Sequence, residues 1–295
     1  MKTPFYAALV IPIALMMGCK QGGRPDQGGG LDSISLGDIK PLVHSIDTIG
    51  QGLPIFYNMY LSVEMSTLFR ASGAVFKPEL LNSADNTSDY VTSSKKALNL
   101  GVYAVDLSYS KVFEQLEIAS IYFNAMQKMA EELGIPADYF ENSAARFDRN
   151  INNKDSLIAI ANEVYMATDK YLRENERYGA AGLIILGGWV EAMQIATDVA
   201  ATTRDIDIIE RYAEQKVSLG NVISMLNDYS GDVVIRQNLQ KLVQLKPLFD
   251  SFEVKMDPGI DPASDKGKKI IEGYLVKVDE IGKQIKAMRR EITSS

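Results

Sequence analysis

Past Leu31, apolar positions recur every three or four residues, with polar positions between them. That is the period of an amphipathic helix, in which residues i, i+3, i+4 and i+7 share one face. No stretch alternates apolar and polar residues up to a tight hairpin turn, so strands are not expected. Ile55, Phe56, Met59, Tyr60 and Val63 fall at helical spacing after Pro54. Lys95 to Glu117 reads as a second helix and Ile118 to Leu133 as a third. The third stops at Gly134-Ile135-Pro136, where glycine suits the left-handed position past a helix end and proline forbids continuation. Asp138 to Arg149 reads as a short helix, and Asn153 can cap the next, which runs to about Glu176. Ala180 to Ala201 follows. Thr202 and Asp205 resemble a capping pair for a helix through about Asp228. Gly231 separates that helix from one ending near Asp250. The turn-rich run MDPGIDPASD breaks the pattern, with Asp261 reading as an N-cap and Pro262 as the first residue of the last helix.

The expected fold is therefore all-α, a multi-helix bundle or α-α array of about eight to nine helices. It forms a single all-helical domain over 33–295 and ends in a long C-terminal helix over 262–292. That last helix carries Ile271, Tyr274, Val278, Ile281, Ile285, Met288 and Ile292, spaced alternately by three and four, a heptad seam of about three repeats. Such a seam serves either self-association of two copies or packing on the same chain. Three heptads are near the minimum for a coiled coil, which favours packing within the chain.

Two helices depart from the amphipathic pattern. Between Lys96 and Lys111, ALNLGVYAVDLSYS holds one charge, Asp106. Between Arg177 and Arg204, YGAAGLIILGGWVEAMQIATDVAATT holds only Glu191 and Asp198. A helix apolar nearly all round is buried or spans a membrane, and the run AAGLIILGGWV is too short to span. These two are expected at the centre, with the amphipathic helices around them. They also resemble each other: Leu100-Gly101-Val102-Tyr103 matches Leu186-Gly187-Gly188-Trp189, with an acid following at Asp106 and Glu191. An internal duplication, with units near 53–134 and 153–230, would produce that match. Glycine inside a helix costs about 1 kcal/mol against alanine, and close helix–helix approach would explain keeping Gly101, Gly187 and Gly188.

The two acids are the candidate site. A buried carboxylate has a raised pKa and needs a partner, and such groups cluster at functional sites. Asp106 and Glu191 can pair with Tyr103, Tyr109 or an arginine from elsewhere, and with Tyr103 and Trp189 they would line a pocket between the central helices. The competing reading is structural: Glu191, Gln194 and Asp198, at i, i+3 and i+7, form one polar stripe facing water, and Asp106 bonds a neighbouring tyrosine. Composition narrows the chemistry. The chain has one histidine, His44, and one cysteine, Cys19. No Glu-x-x-His pair, GxSxG elbow, P-loop or Rossmann glycine pattern occurs. LGGWVEA lacks the histidine of the Gly-x-His-x-x-Glu signature of imelysin-type domains. No catalytic residue, metal ligand or cofactor is assigned. A net charge of -7 carries no basic footprint for nucleic acid.

The first nineteen residues, MKTPFYAALVIPIALMMGC, have the parts of an export signal: Lys2, a charge-free run from Phe5 to Met17 of about a dozen residues, then Gly18 and Cys19. Leu15-Met16-Met17-Gly18-Cys19 resembles the bacterial lipobox, in which cleavage occurs before an acylated cysteine. Residues 1–18 are then a lipoprotein signal peptide, and 19–32 a lipidated, glycine-rich flexible tether. Removing Lys2 takes the formal charge from -7 to -8. A diacylglyceryl group on Cys19 would anchor the protein stably, because each buried CH₂ contributes about 0.8 kcal/mol and two chains suffice. Lys20, rather than an aspartate, follows the cysteine, which by resemblance points to the outer membrane.

KKALNLGVYAVDLSY, YLRENER and GGWVEAMQIAT resemble a family of predicted helical lipoproteins of Bacteroidetes, over about Leu53 to Asp250. The family has no assigned activity, so the resemblance implies location and fold and supplies no catalytic residues. The expectation is a non-enzymatic, outer-membrane-anchored, periplasm-facing module. It would bind the membrane through acyl chains on Cys19 and engage an envelope protein or a small ligand. The rivals are a small-molecule sensor with the central pocket and, last, an enzyme using the two carboxylates.

Overall fold

The computed structural model describes residues 68–139 and 170–294, with Arg146, Arg149, Ile160, Glu163, Ala167 and Thr168 between them. The signal peptide, Cys19, the tether, His44, the helix expected after Pro54, most of the Asp138–Arg149 helix and the start of the one capped by Asn153 lie outside the described residues. Among the described residues every regular element is helical: six α-helices and three short 3₁₀ turns are described from end to end, and residues 68–71 and 170–174 are helical as well. The fold is all-α.

Helix α1 spans Ser93–Val112 and begins where the Thr92 side chain accepts the backbone N–H of Lys95. It is followed by α2, Leu116–Glu132. The break between them was expected at Glu117–Ile118 and falls earlier, at Phe113–Gln115. No glycine or proline marks it. Glu114 takes a left-handed conformation, φ 60°, and Gln115 N–H bonds back to Ser110 O at 2.8 Å. The end of α2 follows the sequence closely: Gly134 has φ 78° and Ile135 N–H closes on Ala130 O at 3.1 Å.

Helix α3 spans Tyr178–Thr203 and α4 spans Ile206–Asn227. The turn between them puts Arg204 at φ 57°, and the Asp205 carboxylate takes the N–H groups of Asp207 and Ile208. Asp205 is the cap, while Thr202, expected to share that role, stays inside α3 and bonds Asp198 O at 2.7 Å. Helix α5, Val233–Asp250, is capped by Asp232, whose carboxylate accepts from Ile235 N–H at 3.0 Å. Helix α6 spans Asp265–Thr293. Its cap is Ser264, whose Oγ accepts from Gly267 N–H at 3.0 Å. Asp261, expected as the cap, instead takes the N–H of Ala263 in the preceding turn. Pro262 therefore lies outside the helix.

The central pair is α1 and α3, packed more extensively on each other than any other two elements. Helix α2 covers α1, α4 packs on α3 and on α5, and α6 lies mainly on α3 while reaching α1, α4 and α5. Helix α3 has the length and composition of a membrane span, yet 78% of its most apolar window is buried inside the protein. Its glycines account for the closeness of the pair. A Cβ on Gly101 would land on the carbonyl oxygen of Ile184 and stand 2.7 Å from Gly188 N. A Cβ on Gly187 would land on the carbonyl oxygen of Leu98 and stand 2.7 Å from its carbon. The contact is reciprocal: each glycine meets the carbonyl three residues before the other.

The C-terminal seam faces inward. Ile271, Val278, Ile281, Ile285, Met288 and Ile292 are buried and Tyr274 is half-buried, its hydroxyl donating to Lys255 O at 2.7 Å. Each buried large aliphatic side chain contributes about 1.5–3 kcal/mol. The surface that would pair two copies is filled here by the same chain.

Candidate functional site

Tyr103 and Asp106 stand one turn apart on α1 and so share a face. Glu191 comes from the middle of α3 and Arg289 from near the end of α6. The four meet in the interior. Arg289 grips Glu191 with both arms of its fork: Nε donates to Oε2 at 2.5 Å and the second amino group to Oε1 at 2.7 Å. That amino group also donates to Leu80 O at 2.8 Å. The Glu191 side chain is 0% exposed and that of Arg289 18%. A bidentate guanidinium–carboxylate pair of this geometry is what makes so buried a charge tolerable.

Asp106 is also 0% exposed. Its Oδ2 accepts the backbone N–H of Asn82 at 3.1 Å, and its Oδ1 receives no donor. Burial raises its pKa well above the ordinary carboxylate value, and the neighbouring charge of Glu191 adds to the rise. Arg289 and the Asn82 N–H pull the other way without cancelling it.

Around these groups runs a segment over 77–90 that holds the 3₁₀ turns Pro78–Leu80 and Ala84–Asp89. Short turns leave main-chain groups unpaired, and buried side chains supply the partners. Tyr103 hydroxyl donates to Ser83 O and Tyr122 hydroxyl, from α2, to Asn82 O, each at 2.9 Å. The Asn82 amide donates to Tyr90 hydroxyl at 2.9 Å. Burial pushes the phenols of Tyr90, Tyr103 and Tyr122 above their usual value, so all three stay neutral donors. The last carbonyls of α6 are served from α1: Asn99 Nδ2 donates to Ile292 O at 2.9 Å, and Lys95 Nζ to Glu291 O at 2.6 Å and Ser294 O at 2.7 Å.

Three of the four sequence candidates thus share one buried network, and Trp189 is elsewhere. Two residues are about 200° of helix, so Trp189 leaves α3 on the side opposite Glu191. It packs on Phe249 of α5, ring centres 6.2 Å apart. Tyr109 is also separate, accepting Lys77 N–H at 3.1 Å and stacking on Phe76. The solvent-facing stripe of Glu191, Gln194 and Asp198 does not form: Glu191 is interior, Gln194 is half-buried and Asp198 pairs with Lys77 at 2.6 Å. Sequence reasoning missed Arg289 by name, together with Asn82, Asn99 and Lys95. The available signal was a basic residue flanking the apolar seam at Met288, which can reach an acid isolated in an apolar helix.

The chemistry open to this arrangement is limited. Both Glu191 oxygens are held by Arg289, and Asp106 and Glu191 are closed off from solvent. Where Gly101 and Gly187 cross, the backbones of α1 and α3 leave no room for a ligand between them. Among the described residues no group of three or more metal-ligating side chains occurs. No protein family, curated protein or solved structure matches the chain. What the fold and site define is a class by construction: an all-α array around two close-packed apolar helices, with two buried acids, one of them bound to the C-terminal helix.

Proposed function

We propose that the chain is a lipid-anchored protein of the cell envelope, held in the outer membrane by acyl chains on Cys19 and facing the periplasm as a non-enzymatic binding or scaffolding module. The observation that carries this reading is the placement of the only cysteine directly after an apolar run of export-signal length, followed by a glycine-rich tether. The state of the acid pair supports the non-enzymatic part. Arg289 holds both oxygens of Glu191 and the main chain holds Oδ2 of Asp106, and both acids are closed off from any solvent-borne substrate. The rival small-molecule pocket between the central helices is disfavoured by the backbone contact at Gly101 and Gly187.

Mass spectrometry of the mature N-terminus, with palmitate labelling in cells, tests the anchor. The expected result is a lipid-modified Cys19 as first residue, and loss of both label and membrane association in Cys19→Ser. An unmodified Cys19, or cleavage elsewhere, refutes it. Cross-linking and pull-down from a native envelope fraction tests the module, the expected result being a stoichiometric protein partner.

A further inference from the structure

We propose that Asp106 and Glu191 hold one proton between them, carried by Asp106 and donated to Glu191, and that this shared proton latches the 77–90 segment and α6 onto the central pair. The inference begins with unmatched acceptors. Two carboxyl groups and one guanidinium occupy the site, and Arg289 binds both oxygens of Glu191 at 2.5 and 2.7 Å. Asp106 Oδ2 has the Asn82 N–H, while Oδ1 has no donor. Both acids meet the same short stretch of main chain: Arg289, which holds Glu191, bonds Leu80 O, and Asp106 bonds the N–H of Asn82 two residues on, so the two buried carboxyls are neighbours. Two ionised carboxylates that are neighbours in a site closed to solvent repel each other. One proton resolves both facts: it turns Oδ1 into the missing donor and balances the charge to one carboxylate and one guanidinium. Asp106 is the carrier, because both oxygens of Glu191 already accept from Arg289 while Oδ1 of Asp106 is the buried oxygen with no donor.

Every element around the pair contributes a group that fits this state. From α1 comes Tyr103, from α2 Tyr122 and from the 77–90 segment Tyr90, all neutral phenols held there by burial. From α6 comes Arg289, the cation acting on Asp106. The network reaches the segment through Asn82 N–H and Leu80 O, and α6 through Arg289. Losing the proton to solvent leaves two negative charges and one positive in the interior, and the least costly relief is to open the segment or α6 to water.

The sign follows from linkage. Folding raises the Asp106 pKa above its ordinary value of 3.8. Its contribution to stability is complete below that value and is lost as pH rises toward and through the folded pKa. Asp106→Asn keeps a donor toward Glu191 and an acceptor for Asn82 N–H without a titrating proton. The Tm advantage of Asp106→Asn over wild type should therefore widen as pH rises above the ordinary aspartate value of 3.8 toward the raised folded pKa. A difference that stays constant from acid to alkaline pH overturns the proposal.

Infrared spectroscopy of the wild-type chain at neutral pH gives an answer that needs no variant. The carbonyl band of a protonated carboxylic acid is expected, shifted by ¹³C labelling of aspartate and not of glutamate. Absence of the band, or a shift only with labelled glutamate, refutes the assignment. Limited proteolysis tests the latch: at alkaline pH, cleavage within 77–90 should rise in wild type and not in Asp106→Asn, and equal cleavage in both removes the latch.

Discussion

The crossing of α1 and α3 can be tested by adding one methyl group. In Gly101→Ala the new Cβ would meet main chain, landing on Ile184 O and standing 2.7 Å from Gly188 N and 2.9 Å from Ile184 C. Main chain inside a packed helix cannot swing aside as a side-chain tip can, so the helices must separate. Overpacking of a tight core costs about 1–3 kcal/mol, and a backbone clash belongs at the upper end. Alanine returns about 1 kcal/mol of helix propensity. The net expectation is a loss of about 2 kcal/mol, which for a folded body of this size lowers Tm by about 4–8 °C. Gly220→Ala is the internal control. It lies within α4, and a Cβ there meets nothing within 4 Å. Only the propensity gain remains, so stability should rise by up to about 1 kcal/mol. Gly187→Ala should behave like Gly101→Ala, and the double variant should lose less than the two losses added, because one separation relieves both clashes. The assay is thermal and urea unfolding of a soluble form beginning at Lys20, followed by far-ultraviolet circular dichroism. A Gly101→Ala protein as stable as wild type, or a Gly220→Ala protein destabilised as much, would show that the helices do not cross backbone to backbone.

Further outcomes follow from individual contacts. Arg289→Ala removes the countercharge that holds both oxygens of the buried Glu191 and should cost about 3 kcal/mol, the low end for a broken buried pair because the guanidinium partly reaches solvent. Replacing both partners, Glu191→Leu with Arg289→Met, should retain most of that stability, because neither charge is then stranded; urea unfolding of the single and double variants checks both. Tyr122→Phe removes the donor to Asn82 O and should cost about 1–2 kcal/mol in the same assay. Asp232→Ala should cost about 1 kcal/mol by removing the α5 cap, whereas Lys246→Ala, which breaks a half-exposed pair with Asp250, should change Tm by no more than its experimental error.

Local periodicity made most of the fold legible, since a helix is specified by residues three and four apart. The stop at Gly134 and the burial of α1 and α3 came from local signals of that kind. The sequence misled where two local signals competed. Asp261-Pro262 and Ser264 both look like helix starts, and Ser264 became the cap because its Oγ reaches the N–H three residues on while Asp261 closes its own turn. The α1–α2 break was misplaced because Glu114 adopts a conformation usually marked by glycine. The candidate site was legible only in part. Asp106 and Glu191 stood out as lone charges in apolar runs, but the partner of Glu191 lies 98 residues further on. A hydrogen bond across that interval leaves no trace in composition or period. Trp189 was drawn into the pocket by its nearness in sequence to Glu191, although a two-residue step puts it on the other side of α3.

The apolar seam and the charged network divide the placement of α6 between them. Heptads repeat, so sliding α6 by one heptad, about 10.5 Å along its axis, would return apolar residues to most of the same holes. Burial alone therefore discriminates weakly between registers. The polar contacts do not repeat. Arg289 can grip Glu191 and Leu80 O only when it lies level with the middle of α3. Lys95 and Asn99 can serve the carbonyls of Glu291, Ile292 and Ser294 only when the end of α6 reaches the start of α1. Each of these contacts would be lost in a shifted register, and each loss leaves a charge or a carbonyl stranded, at about 1–3 kcal/mol apiece. The seam thus supplies the bulk of the attachment and the network selects among its registers, the use of buried ionic groups best attested elsewhere. Retained stability in the Glu191→Leu, Arg289→Met double variant, with α6 amides exchanging hydrogen faster than in wild type, is the outcome this division of roles requires; unchanged exchange would mean that the seam sets the register unaided.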